Sequence, residues 1–498
     1  MDAKGVKRPP RRRRQDRVIL QFDYDCFYAQ VFENKTPELK SKPLGVKQKN
    51  LLATCNYNAR SHGVKKLMPV SEATQICPGL VLVDGEDLTL FRDTSKLLFN
   101  FLKSHSWNGR AERLGFDEVF LDVTDIVEYS LSCLNLTSLQ NSFFHLSSKD
   151  PESGFGCDLT SPAGCLVGAP ANGDDPAEAK SPGYLRLALG SHLAQYLRMK
   201  LEADFGYTST CGISTNKVLS KLVGAKNKPR NQTTLLARGD DDVVAFMDGH
   251  DLRAVPGLGS KMTNLLEHHI LSEEASTKRG ADPSPSSLTV RHVRLHPTIS
   301  PAFLETLLGG PGAERGIGAR VWALLHGVDY AEVKEAKDVP SQISIEDTYK
   351  GLDAPPRITE ELHKLSCSLI LRMRVDLVAP DGDGDGDEDA SGARSEMSRS
   401  RRWVARPRTL RLSVRSWPKP NQALAAQQQA RITTMSRVSR SGQLPGFVFD
   451  LEADVDDIAQ RLVADALWPL LRRLRADGGP GGWNLQLINV TMFCVRGG

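Results

Sequence analysis

Acids placed where an apolar strand emerges from a core constrain this chain more than any other feature. Val18-Ile19-Leu20 runs into Asp23-Tyr24-Asp25-Cys26-Phe27-Tyr28, and Gly115-Phe116-Asp117-Glu118 opens a second apolar run, Val119-Phe120-Leu121. Their β-branched and aromatic content marks both as strands. A carboxylate at the edge of such a core is costly unless a positive charge compensates it. Mg²⁺ suits that position, because it takes a few carboxylates and completes its octahedron with water and phosphate oxygens. Two such ions clamp the attacking and leaving oxygens of an in-line phosphoryl displacement. The pattern therefore points to nucleotidyl transfer. Turn-capping or pairing with Arg and Lys would account for one such acid, but less well for two clusters. Asp117 is read as the first residue of the second strand, where alternation should aim Asp117 and Glu118 at opposite faces. Asp117 is then the stronger metal ligand, and Glu118 joins it only if the strand is twisted or bulged.

With 498 residues, the chain is too long for one ordinary core and suggests several domains. Its net charge of +4 is too small to predict nucleic-acid binding, so local distribution must carry that argument. Nine cysteines are scattered without metal-ligand spacing and read as reduced thiols of an intracellular protein. No apolar run reaches the roughly 18 residues of a membrane span. The run Lys7 to Arg14 reads as a nuclear localisation signal, a DNA-touching arm or a plain basic tail.

Strand-like and helix-like segments alternate from about residue 17 to 126. Asp25 to Asn34, Val70 to Ile76 and Tyr184 to Phe205 read as helical, and Leu88 to Leu102 has apolar residues at helical spacing, with Leu97, Leu98, Phe101 and Leu102 on one side. Extended chain is expected at Gly45 to Thr54, Leu80 to Val83 and Thr208 to Gly212. Polar segments at about 147–183, 272–290 and 380–400 read as insertions or loops. The last holds Asp381 to Asp389, whose Asp-Gly alternation lacks the spacing of a calcium loop and reads as a solvated acidic linker.

Two further segments suit a triphosphate. Tyr57 and Arg60, three apart, share a face of a helical turn, offering a phenol hydroxyl and a guanidinium fork. Gly212 to Lys221 starts a helix with Ser, Thr and Asn signals, and Lys228, before Pro229, lies in extended chain beyond it. Taken in order, Asp-x-Asp-Cys-Phe-Tyr-Ala, Asn-Tyr-x-Ala-Arg-x-x-Gly-Val, Phe-Asp-Glu-x-Phe-Leu-Asp and Gly-Ile-Ser-x-Asn-Lys resemble the Y-family, or translesion, DNA polymerases. The flanks at Lys42 to Lys49, Gly63 to Met68, Leu82 to Thr89 and Arg113 to Glu118 are most similar to the iota branch. The match is dense over about 17–128 and 205–235.

That resemblance implies an α/β (α+β) multidomain right hand. Residues 1–16 would be a basic tail, 17–26 and 85–237 the palm, and 27–84 the fingers. A helical thumb would follow at 238–337 and an α/β little finger at 338–498. It also implies roles. Asp23, Asp117, Glu118 and the backbone carbonyl of Tyr24 would hold two Mg²⁺ ions, with Mn²⁺ as the alternative. Phe27 and Tyr28 would contact the dNTP, Tyr28 as the steric gate against a ribose 2′-hydroxyl. Tyr57, Arg60 and Lys228 would hold the triphosphate. Gln48, Lys49, Leu51 and Ala53 would line the pocket over the nascent base pair, Ala53 being smaller than the aliphatic residue expected there. Asp25 matches the motif but is given no metal. Bonding to local backbone or a basic neighbour suits it better.

For DNA, Leu252 to Lys261 resembles a helix-hairpin-helix turn, in which Gly257 and Gly259 let backbone N–H groups approach a phosphate and Lys261 opens the next helix. Between Arg399 and Arg415 stand seven arginines and no acid. There Leu410, Leu412 and Val414 alternate with Arg411 and Arg415, the pattern of a strand with one basic face suited to duplex backbone. Primer-template DNA and dNTP are thus the expected partners, in the nucleus. A sliding clamp or ubiquitinated repair factors are candidates for which no motif is seen. The rival readings are a nucleotide cyclase on a palm-like sheet and a non-catalytic DNA-bound repair scaffold.

Overall fold

A computed structural model describes residues 14–168, 181–277, 288–336, 339–380, 401–417, 437–476 and 482–494. The chain divides into two compact units, Met1–Ala336 and Lys337–Gly498. The basic run before Arg14, the acidic run at 381–389 and parts of the polar segments at 147–183 and 272–290 lie outside the described residues.

The first unit begins with β1 (Ile19–Tyr24), α1 (Phe27–Lys35), β2 (Leu44–Gln48), β3 (Leu51–Cys55), α2 (Tyr57–Ser61), α3 (Val70–Ile76), β4 (Val81–Asp84) and α4 (Thr89–Lys103). It continues with β5 (Ala111–Leu114), β6 (Glu118–Asp122), α5 (Thr124–Ser132), β7 (Ser142–His145), β8 (Gly154–Cys157), β9 (Cys165–Val167), α6 (Pro182–Phe205), β10 (Ser209–Ser214), α7 (Lys217–Gly224) and β11 (Gln232–Leu235). Its main sheet has six strands in the order β5-β6-β1-β10-β11-β9. The apolar run Val18-Ile19-Leu20 leads into the central strand β1, antiparallel to both β6 and β10. Val18, Leu20, Phe22 and Tyr24 are at most 1% exposed and pack with α4 and α6 residues such as Leu98, Leu102 and Leu189. Each such side chain contributes about 1.5–3 kcal/mol relative to exposure.

Helix α7 packs closely on the sheet, and the approach depends on Gly212. A Cβ there would meet the Ser220 carbonyl at 1.9 Å and the Gly224 nitrogen at 2.6 Å. Ser220 fixes the contact by donating its hydroxyl to the Ile19 carbonyl at 2.9 Å. Asn216 caps the helix, its side chain accepting from Leu219 N–H.

A small sheet, β3-β2-β4, sits beside the main one with its own core of Leu52, Cys55, Ala59, Val64, Ala73 and Cys77. A further cluster forms around α8 (Asp240–Asp248), α9 (Ser260–Thr277), α10 (Val290–Leu295), α11 (Pro301–Leu308) and α12 (Ile317–Leu325).

Two expectations change. Residues 147–168, read as an insertion or loop, carry two short strands within otherwise irregular chain. β8 pairs with β7, and β9 adds a parallel edge to β11, with Phe144, Phe155 and Tyr196 stacked in series beneath. Glycine and proline content hid these strands because they are only three or four residues long. On α4, Leu98 and Leu102 are buried but Leu97 is 54% exposed, one position off the face.

The second unit comprises β12 (Gln342–Leu352), α13 (Pro355–Leu377), β13 (Val378–Pro380), β14 (Arg401–Trp403), β15 (Thr409–Ser416), β16 (Val438–Gln443), α14 (Val455–Leu462), α15 (Trp468–Ala476) and β17 (Leu485–Phe493). Its four-stranded sheet runs β12-β17-β15-β16, antiparallel throughout. One face meets α13, α14 and α15 over Leu369, Leu412, Leu462, Leu471 and Val490.

Candidate active site

The two acid clusters meet at one end of the main sheet. Asp23 stands opposite Glu118 in the β1–β6 register, and Tyr24 N–H donates to the Asp117 carbonyl at 2.9 Å. Asp117 precedes β6 rather than opening it. It is the last residue of the turn Gly115-Phe116-Asp117 that joins β5 to β6, entered through Gly115 at φ 68°. Alternation along a strand therefore does not bind it, and Asp117 and Glu118 line the same cavity as Asp23 without a bulge. That cavity measures about 880 Å³.

Burial, then the negative charges of Asp23 and Glu118, push Asp117 up to about 6. Oxygen donors repelling one another in this way suit a hard divalent cation, which would relieve the repulsion. The carboxylates face ammonium groups too. Lys228 Nζ lies 2.6 Å from Asp23 Oδ2, and Lys221 Nζ pairs with Glu118. Lys221 was missed in the sequence. It stands one helical turn after Lys217, which pairs with Glu112.

Cys26 sits in the left-handed region at φ 45° and turns the chain sharply from β1 into α1. The turn brings Phe27 and Tyr28 to the cavity wall. Tyr28 stacks on Phe91, ring centroids 4.0 Å apart and planes 12° apart, with the Phe27 and Phe116 rings at 5.9 and 6.2 Å. This holds the ring against the cavity rather than leaving it to rotate. Opposite, α2 starts at Tyr57, where Asn56 caps the helix by accepting from Ala59 N–H. The Arg60 guanidinium lies 4.6 Å from the Tyr57 ring centroid, and its Nε donates to the Cys55 carbonyl at 3.2 Å. Gln48 and Ala53 line the cavity, and Gln48 is anchored to the Gly85 carbonyl at 2.8 Å. Lys49 and Leu51 lie outside that lining. Lys49 occupies the β2–β3 turn with its N–H bonded to Glu86, and Leu51 is 46% exposed. Lys65 and Lys66 do line the cavity, both exposed, although neither was singled out from the sequence.

Asp25 faces away from the cavity. Its carboxylate, 4% exposed, accepts from the hydroxyls of Thr208 and Thr210, each at 3.0 Å, and from Arg230 N–H at 2.9 Å. It therefore pins the backbone two residues beyond Lys228.

The family model described as impB/mucB/samB matches residues 22–225, which contain both acid clusters, Tyr57, Arg60 and Lys221. DNA polymerase iota of Homo sapiens is 33% identical over 360 residues, covering 72% of this chain and 42% of that protein. DNA polymerase iota of Drosophila melanogaster is 39% identical over 250 residues, covering 50% of this chain and 30% of that protein. DNA polymerase IV of Francisella philomiragia is 33% identical over 362 residues, 72% of this chain and 78% of the relative. The chain belongs to the Y-family of DNA polymerases. It lies near the iota branch, and it spans less than half the length of the iota relatives.

Several expected contacts of this Y-family chain fall beyond the matched stretch. Lys228 lies three residues past it, yet the fold returns it to Asp23. Gly257 and Gly259 in the turn before α9 and Lys261 in its first turn are exposed, while Leu258 is buried. The other Gly-rich turn, at Gly316 to Gly318, is already satisfied. The Glu305 carboxylate accepts from Gly316 N–H at 3.1 Å and from Gly318 N–H at 2.7 Å, so this helix start serves packing. In the second unit Leu410, Leu412 and Val414 point into the core. Arg411 is exposed, and Arg415 is half-buried on the opposite face of β15. That face is not wholly positive. Glu346 is on it and pairs with Arg437.

Proposed function

We propose that this chain is a template-directed DNA polymerase of the translesion type, which adds a dNTP to a primer 3′-hydroxyl and copies past damaged bases. One observation carries the reading: Asp23, Asp117, Glu118, Tyr28, Tyr57, Arg60 and Lys228 converge on a single cavity from five separate segments. Asp23, Asp117, Glu118 and the Tyr24 carbonyl would hold Mg²⁺ or Mn²⁺, which when bound lowers the hydroxyl's pKa and offsets the charge on the leaving pyrophosphate.

The chain's own groups account for the rest of the chemistry. Arg60, stacked on Tyr57, presents its guanidinium to the triphosphate with little side-chain entropy left to lose. Lys228 supplies a point charge next to Asp23. Tyr28, braced by Phe91, fills the space that a ribose 2′-hydroxyl would need. Gln48 and Ala53 face the nascent base pair, with Lys49 and Leu51 at its outer edge.

On this reading the main sheet is the palm, the small β3-β2-β4 sheet the fingers, the α8–α12 cluster the thumb and the second unit the little finger. Gly257, Gly259, Lys261, Arg411 and Arg415 are then assigned to duplex backbone. The substrates are primer-template DNA and dNTP, and the site of action is the nucleus. A clamp or ubiquitinated partner remains a proposal with no surface assigned. No helix among the described residues is long and apolar enough to cross a membrane.

The test is primer extension opposite each of the four template bases. Incorporation that tracks the template supports the reading and excludes a cyclase or an inert scaffold. Product formed without template, or none with intact DNA binding, overturns it.

A further inference from the structure

The second unit holds a group of donors that polymerisation does not use. His363 and Cys367 are four residues apart on α13, so they share one face of a long helix. Asp456, in the first turn of α14 and 93 residues further on, meets them there. The His363 Nε2 to Asp456 Oδ1 distance is 3.3 Å, and Cys367 Sγ is 3.9 Å from Nε2. One donor atom from each residue lies within 4.8 Å of the other two. Bond lengths of about 2.0–2.3 Å in a tetrahedral zinc site place ligand atoms roughly 3.3–3.6 Å apart. The His363–Asp456 and His363–Cys367 separations are already near those edges.

The scaffold is rigid. Leu362, Ser366, Leu369 and Ile370 of α13 are buried, as are Ile458, Ala459 and Leu462 of α14, so the helices that carry the donors are locked by the same core. Asp454 caps α14 by accepting from Asp456 N–H at 2.7 Å, which fixes the backbone from which the Asp456 carboxylate projects. The catalytic acids differ in kind. They offer oxygen only, whereas this group offers sulfur, nitrogen and oxygen, and among the described residues no other group of three such donors is as close.

We propose that His363, Cys367 and Asp456 form a binding site for a borderline-soft divalent cation of the Zn²⁺ class, with solvent as the fourth ligand. Mg²⁺ and Ca²⁺ prefer all-oxygen shells and would not compete for it. Binding converts the thiol to a thiolate bonded to the metal and releases one proton to solvent. The metal then staples α13 to the start of α14, two segments far apart in sequence.

Co²⁺, as a spectroscopic substitute, tests this with the full chain in Mg²⁺-containing buffer. A thiolate-to-cobalt absorption band in the near ultraviolet and tetrahedral bands in the visible are expected, all displaced by Zn²⁺. Cys367→Ser should abolish the charge-transfer band, and His363→Ala and Asp456→Asn should each weaken Co²⁺ affinity at least about tenfold. Circular dichroism that matches wild type ensures that the loss is not unfolding. The proposal is overturned if wild type gives no thiolate band, or if the band survives undiminished in Cys367→Ser. Oxygen-only ligation at the catalytic acids cannot give that band, so the outcome is independent of polymerase activity.

Discussion

Asp23 and Asp25 are two residues apart and do opposite work. Asp23 faces the cavity and Lys228, whereas Asp25 faces Thr208, Thr210 and the Arg230 backbone. Asp25→Ala removes the shared acceptor of three donors, of which the Thr210 hydroxyl is fully buried, and should cost about 1–3 kcal/mol in a urea titration. Because Arg230 lies just past Lys228, the same change should raise the dNTP KM more than it lowers kcat. Equal KM values for wild type and variant would deny Asp25 this positioning role. The sequence reading assigned Asp25 no metal but expected it to bond local backbone or a basic neighbour; its partners instead come from 183 to 205 residues away, brought in by the pairing of β1 with β10. It misplaced Asp117 because a three-residue hairpin turn and a strand start look alike in one dimension, and only the turn frees Asp117 from alternation. Lys221 escaped notice because its partner, Glu118, is 103 residues away.

Among the elements, α7 shows how close packing delivers function. The glycine at 212 lets the helix lie against β1 and β10, and the helix in turn carries Lys217 and Lys221 to Glu112 and Glu118. Gly212→Ala should therefore destabilise by at least about 1–3 kcal/mol, read as a lower urea midpoint. Gly183→Ala, in the first turn of α6 with nothing within 4 Å of the added methyl, should be neutral or slightly stabilising. Equal midpoints for the two variants would contradict the packing account. α4 was legible because its apolar spacing persists over several turns, and α7 because Ser, Thr and Asn mark its start. β8 and β9 were not, because too few residues alternate for a pattern to emerge and the surrounding Gly and Ser mimic a loop.

At the scale of the whole molecule, charge is distributed rather than abundant. A net charge of +4 conceals local concentrations at Lys65, Lys66 and Lys228 around the cavity and at Arg411 and Arg415 on β15. Arg411 is well placed to be a phosphate contact, since its guanidinium lies 4.6 Å from the Phe493 ring centroid and its Nε donates to Ser441 Oγ at 3.2 Å. Arg411→Ala should weaken DNA binding to a similar degree for every sequence and reduce the magnitude of the log K versus log salt slope by about 1. An unchanged slope would remove Arg411 from the contact set. The stripe of arginines was legible from its alternation with Leu410, Leu412 and Val414. Glu346 on the same face was not, because strand pairing rather than sequence proximity brings it there.

Asp117→Asn offers the most direct measurement of all, because it keeps the shape of the side chain and removes only its charge. Primer extension with Mg²⁺ and dNTP should fall at least about a hundredfold while the affinity for primer-template DNA stays near wild type. Extension at the wild-type rate would show that nucleotidyl transfer does not depend on the carboxylates gathered at the ends of β1 and the β5–β6 turn.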